Sequence, residues 1–153
     1  MPASTQLHAI SPACVLRGEH AWREALPIVP SLCRKPLLLG RSNATSPIRS
    51  SLADDLRAVG VDPQPSELRH DCCEEDLQEV ALTLQDVHAD AVLAVGGGKV
   101  LDAGKLLAHR HGLPCLTVPT SAATCAGWTA LANLYSPTAP SAAMWRSSDA
   151  PIC

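Results

Sequence analysis

The residues best suited to chemistry lie in one stretch, Val95-Gly96-Gly97-Gly98-Lys99-Val100-Leu101-Asp102-Ala103-Gly104-Lys105. Three successive glycines let the backbone approach a bulky anion closely. The apolar run Ala91 to Val95 precedes them, in the form of a buried parallel strand. Helical spacing resumes from Lys99 to about His111, and Gly112 closes it. A helix starting near Lys99 aims its free amide groups and its positive dipole end back at the loop. Lys99 adds a cation beside them. A pyrophosphate is the guest this arrangement suits. The plainer reading is a glycine-rich turn that binds nothing, because the segment is neither a phosphate-loop motif ending in Lys-Ser/Thr nor a G-x-G-x-x-G fingerprint.

The flanking elements have the alternation needed to position such a loop. Ala13 to Arg17 reads as a short strand. Glu19 to Cys33 has a weak helical pattern broken by Pro27 and Pro30, so a short helix and a turn are expected. The run from Pro36 to Gly40 reads as a second buried strand. Thr45-Ser46-Pro47 opens a helix with a hydroxyl at the cap and proline in the first turn. Ile48, Leu52, Leu56 and Val59 supply its apolar stripe, and Gly60 ends it. Pro63 and Pro65 punctuate a connection. Asp71 and Glu74 have capping-box spacing ahead of a stripe of Leu77, Val80, Ala81, Leu84 and Val87. Leu113 to Val118 is the last strand, stopped by Pro119. Strands alternating with helices predict an α/β architecture, an open parallel sheet with helices on both faces, whose ligands sit at the carboxyl ends of the strands.

Composition agrees with one packed domain. The chain has 153 residues, 46% hydrophobic and 18% charged, and no Phe, so Leu, Val, Ile and Ala must fill the core. A net charge of −3 gives no basic surface for nucleic acid. No apolar run approaches a membrane span, and the first 11 residues lack the pattern of a signal peptide. A cytoplasmic protein without nucleic-acid or membrane partners is expected. The seven cysteines include no CxxC pair, and most are expected to be reduced. The six histidines form no i, i+4 pair and read as surface residues rather than metal ligands.

A second segment sharpens the reading. Pro119-Thr120-Ser-Ala-Ala123-Thr124-Cys125-Ala-Gly-Trp-Thr129-Ala-Leu131-Ala-Asn-Leu-Tyr135-Ser136 is similar to the PTxxSTDAPxSxLSxxY segment of the glycerol dehydrogenase branch of the iron-containing alcohol dehydrogenases. GGGKxxDxxK, from Gly96 to Lys105, resembles the same family's cofactor motif, and the resemblance covers roughly residues 11–136. It implies a Rossmann-like domain over residues 13–136 that binds NAD. Gly96, Gly97, Gly98 and Lys99 would cradle the pyrophosphate, and Gly40 would end the first nucleotide strand. Asp102 would lie on the nucleotide side of its helix, with a capping or salt-bridge role as the alternative. Thr120 and Ala123 would contact the cofactor, Thr120 at its adenosine end. Thr129, Leu131 and Tyr135 would line the nicotinamide and ribose region. Lys105 is expected to pair with a carboxylate. Cys125 stands where the family commonly has an Asp that positions a polyol. A thiol cannot accept hydrogen bonds as a carboxylate does, so a substrate other than glycerol is expected.

The resemblance also implies what lies elsewhere. Family members hold Zn or Fe through one Asp and two or three His in a helical metal-binding domain, which is missing here. The metal polarises the alcohol oxygen for hydride transfer. No metal ligand and no catalytic residue is expected in this chain. The substrate would be a small alcohol or polyol, a full-length member could form a homo-oligomer, and this chain alone would be inactive. No Arg closely follows the glycine loop, which favours NAD over NADP. Residues 1–12 read as a leader. After Ser136 the texture turns to Pro, Ala and Ser. Read from the third base of codon 137, the codons open to Met144, Trp145 and Arg146 give Val-Ala, within a continuation similar to the family's DVALxxxPDL. The expectation is a missing base near codon 137, with residues 137–153 a disordered or out-of-frame tail. A native Pro/Ala/Ser-rich tail is the alternative. Three other functional readings fit the sequence: a non-catalytic NAD-binding module or truncated pseudoenzyme, a glycerol-1-phosphate dehydrogenase-like enzyme, or a dehydroquinate-synthase-like one. The Lys after the glycine triplet and the segment around Cys125 argue against the last two.

Overall fold

The computed structural model describes residues 12–136 and 139–146. The expected leader therefore falls outside the described residues but for residue 12, and of the expected tail only residues 139–146 are described, as a strand. The elements, in chain order, are α1 (Ala21–Ala25), α2 (Val29–Leu32), β1 (Pro36–Gly40), a 3-10 turn (Asn43–Thr45), α3 (Ser46–Ala58), β2 (Gln64–Glu67), α4 (Glu74–Asp86), β3 (Ala91–Gly96), α5 (Gly98–His111), β4 (Cys115–Pro119), β5 (Leu131–Ser136) and β6 (Ala139–Arg146).

Four strands form a parallel sheet in the order β2-β1-β3-β4. The chain leaves β1 for β2 on one side and later enters β3 on the other. The crevice between the carboxyl ends of β1 and β3 is therefore the point where the winding reverses, the place such sheets bind ligands. β1 and β3 are buried along their whole length, as their uninterrupted apolar runs predict. Alternation along them feeds two cores. Leu37, Leu39, Val92 and Ala94 pack toward α4 and α5, with Leu77, Val80, Leu84, Leu101 and Leu107. Leu38, Ala91, Leu93 and Val95 pack toward α2 and α3, with Val29, Leu52 and Leu56. Helices thus cover both faces.

Several local expectations need correction. Residues 13–17 are not a strand: residues 13–20 are exposed and no described strand pairs with them, so extension brings no ladder bonds. β2 was read as connection because of its prolines. It is an edge strand, where Pro65 lies opposite Leu38 and a missing N–H is tolerated. Ile48 faces solvent instead of the core. Thr45 precedes α3 but does not cap it. Its hydroxyl donates to the Ser42 carbonyl at 3.0 Å, and Ser42 Oγ accepts from the Ala44 amide at 3.1 Å. α4 starts after Cys73, and Asp71 turns elsewhere.

The end of α5 follows the sequence reading. Gly112 is left-handed at φ +63° and its amide bonds to the His109 carbonyl at 3.1 Å. Gly104, within α5, meets the sheet: a Cβ there would lie 2.5 Å from the Ala94 Cβ. β5 and β6 form an antiparallel pair from Leu131 opposite Arg146 to Ser136 opposite Ala139, with an irregularity between Leu134 and Ser136. The Tyr135 amide donates to the Cys72 carbonyl at 2.8 Å, which ties β5 to the main body.

Candidate functional site: the crevice at the ends of β1 and β3

Gly96 is the last residue of β3, Gly97 the N-cap of α5 and Gly98 its first residue. The three glycines stand in different surroundings. A Cβ on Gly96 would press on Val100 at 3.0 Å, and one on Gly98 would meet Thr124 Oγ1 at 3.0 Å. At Gly97 a Cβ would meet nothing within 4 Å. The backbone there is extended (φ −80°, ψ −177°), so conformation does not demand glycine. The space beside it is open, next to the first-turn amides that α5 cannot satisfy internally. A cleft of about 250 Å³ occupies this space, lined by Arg41, Ser42 and Thr45 on the β1 side and by residues 96–100 on the other.

Its charges are ordered. Lys99 Nζ donates to Asp71 Oδ2 at 2.7 Å and stands over the Tyr135 ring, 5.2 Å from its centre. Arg41 approaches the other Asp71 oxygen at 2.9 Å. One carboxylate thus bridges two cations, leaving the rim with a net positive charge. The β1 wall is braced by Arg49, buried at 7% exposure. Arg49 donates to Thr45 Oγ1 at 2.6 Å, to the Ser42 carbonyl at 3.2 Å and to Glu67 Oε1 at 2.6 Å.

Of the residues singled out by sequence, Gly96, Gly97, Gly98, Lys99 and Tyr135 come together at the crevice. Thr120 is joined to it through its amide, which donates to the Gly96 carbonyl at 3.0 Å. Gly40 lies under Arg49, where a Cβ would fall 2.3 Å from the guanidinium Nε, so its lack of a side chain makes room for that arginine. Asp102 does not line the cleft. It is 5% exposed, pairs with Lys105 at 3.0 Å and accepts the Asn133 amide at 3.1 Å. Lys105 has the carboxylate partner expected of it, and its ammonium also donates to the carbonyls of Thr129 (3.2 Å) and Leu131. Thr129 and Leu131 are thereby anchored by their backbones. Ala123 and Cys125 sit on the exposed loop between β4 and β5.

Arg41 and Arg49 escaped the sequence reading, and Asp71 was read only as a helix start. The signal for Arg41 was available: it directly follows a strand at the ligand-binding end of the sheet. The thiols offer no nucleophile in the core. Burial first, then nearby Asp102 and Cys73, push Cys72 up to about 12, and burial pushes Cys115 up to about 12. Among the described residues no group of three or more His, Cys, Asp or Glu side chains could hold a metal ion. The Zn or Fe implied by resemblance therefore finds no fitting ligand set here.

A family model for "Iron-containing alcohol dehydrogenase" matches residues 12–151. The chain belongs to the iron-containing alcohol dehydrogenase family. It is similar to an uncharacterized oxidoreductase of Synechocystis, with 40% identity over 130 residues, covering 85% of this chain and 33% of that protein. It is also similar to a glycerol dehydrogenase of Escherichia coli, with 25% identity over 125 residues, covering 82% of this chain and 34% of that protein. The fold superposes on the crystal structure of glycerol dehydrogenase from Schizosaccharomyces pombe with a TM-score of 0.83 and 22% identity, covering 97% of this chain and 38% of that one. This member of the family thus spans about a third of the length of these relatives. Its parallel α/β sheet is Rossmann-like, as expected. No helix among the described residues is long and apolar enough to cross a membrane.

Proposed function

We propose that this chain is the dinucleotide-binding part of an oxidoreductase acting on a small alcohol or polyol. One observation carries the reading. The glycine turn between β3 and α5 leaves an open space at Gly97, faced by the free amides of α5 and flanked by Lys99 and Arg41. That combination suits a pyrophosphate. A bound nicotinamide dinucleotide supplies the hydride acceptor for alcohol oxidation. The chain's own residues bind and orient it: the glycines by close approach, Lys99 by charge, and the Thr129–Leu131 backbone by its anchorage on Lys105. Among its described residues the chain holds no fitting set of metal ligands.

The test is fluorescence titration of reduced nicotinamide dinucleotide with the 153-residue chain, followed by an assay of polyol oxidation. Saturable binding without turnover is expected. Turnover by the chain alone would contradict the division of labour, and absence of dinucleotide binding would contradict the reading itself.

A further inference from the structure

The crevice has two anion anchors rather than one. α5 begins at the end of β3 with Gly98 and Lys99. α3 begins at the end of β1 with Ser46, directly after Arg41, Ser42 and Thr45. The first turn of α5 and Lys99 line the cleft on one side, and Arg41, Ser42 and Thr45, the residue ahead of α3, line it on the other. A pyrophosphate on the α5 side engages Lys99 and the glycine turn. It leaves Arg41 and the hydroxyl of Ser42 facing whatever extends over β1.

A dinucleotide seated on the turn sends one arm across β5, toward Thr129 and Tyr135, and the other across β1. With the nicotinamide on the β5 side, as the resemblance implies, the arm over β1 is the adenosine. Sites that select an unphosphorylated ribose place a carboxylate to accept its hydroxyls, whereas an arginine accommodates a 2′-phosphate. No residue lining this cleft carries a carboxylate. The nearest acid on its rim, Asp71, is engaged by Arg41 and Lys99. The buried Arg49 is committed to Thr45, Ser42 and Glu67, so it braces the β1 wall and leaves Arg41 as the cation that can turn to a ligand.

The geometry points to a 2′-phosphorylated dinucleotide, NADP(H), as the preferred cofactor, with Arg41 as the residue that determines the choice and the Ser42 hydroxyl as an accessory donor. This reverses the preference for NAD drawn from the sequence, which looked for an arginine after the glycine loop rather than before it. The inference rests on the dinucleotide reading above. On binding, Arg41 exchanges part of its contact with Asp71 for a charge-assisted, fork-like contact with phosphate.

The test is titration of the whole chain with NADPH, NADH, 2′,5′-ADP and 5′-ADP under identical salt. The 2′-phosphorylated member of each pair is expected to bind at least about tenfold more tightly, the contribution of one charge-assisted contact. Arg41→Ser is expected to collapse that ratio toward unity, and Arg41→Lys to retain part of it, each with an unchanged circular dichroism spectrum. Equal or tighter binding of NADH, or a ratio unaffected by Arg41→Ser, overturns the inference while leaving the dinucleotide reading intact. Binding of none of the four ligands overturns both.

Discussion

The Lys99 ammonium lies 2.7 Å from Asp71 Oδ2, a contact that joins the first turn of α5 to the segment ahead of α4. Asp71 sits at capping-box spacing, yet its carboxylate holds a cation at the rim of the cleft. Both side chains are partly exposed, at 42% and 33%, so the pair adds little to stability and mainly places the charge. Lys99→Met is therefore expected to weaken dinucleotide binding about tenfold, the contribution of one charge-assisted contact to phosphate. The melting temperature should change little. Titration calorimetry and thermal unfolding of the same preparation check both halves.

The Lys105–Asp102 pair is different, because both partners are buried. Lys105→Met would strand the Asp102 carboxylate in the core and is expected to destabilise the fold by about 3–5 kcal/mol. The double substitution with Asp102→Leu should recover much of that loss. Urea unfolding measures the stability. Amide exchange at Asn133, whose N–H donates to Asp102, should accelerate in both variants because β5 loses its anchor.

Gly40 and Arg49 form a steric unit. A methyl group at residue 40 would lie 2.3–2.4 Å from the arginine side chain, so Gly40→Ala is expected to cost about 1–3 kcal/mol. Arg49→Ala alone should loosen the wall that carries Ser42 and Thr45. If the collision is the cause, the double variant should be less destabilised than the sum of the two single variants, which a thermal-unfolding cycle would show.

Acid sensitivity has a local source at the head of α4. Burial raises the Asp76 carboxyl, but hydrogen bonds from the His70 amide (2.7 Å) and imidazole (2.9 Å) outweigh it and hold the carboxyl below its usual value. A depressed carboxylate contributes stability above its unfolded value of ~3.9 and loses it as the pH falls from there through the folded value. Asp76→Asn is expected to flatten the acid limb of the stability curve below about pH 4 while lowering stability at neutral pH. Urea midpoints measured across that range would show a parallel acid limb if Asp76 is not the source.

Much of the fold was legible because its strongest signals are covalent and local. The runs Pro36–Gly40 and Ala91–Val95 read as buried parallel strands, and Gly112 as the end of α5. The glycine turn announced the ligand-facing end of the sheet. Long-range pairing was not legible. Asp71 offered its capping spacing to α4, but Arg41 and Lys99, brought near by the sheet, compete for the same carboxylate. Asp102 looked equally able to face a nucleotide or Lys105. Burial at 5% exposure decides for the ion pair, since an unpaired charge there would be untenable. β2 hid behind its prolines because edge strands tolerate what central ones do not. The apolar residues at 13–17 lack a ladder partner among the described strands, and no sequence pattern reveals that.

The space at Gly97 is proposed to hold the pyrophosphate of a dinucleotide. Gly97→Val tests it most directly, because the extended backbone accepts a β-branched residue and the added Cβ meets no protein atom within 4 Å. Reduced dinucleotide is titrated into the native chain and the variant, with thermal unfolding as the control. The account predicts near-native stability and at least about tenfold weaker binding, as the added side chain displaces phosphate from the α5 amides. Undiminished binding by a stably folded Gly97→Val chain would contradict it.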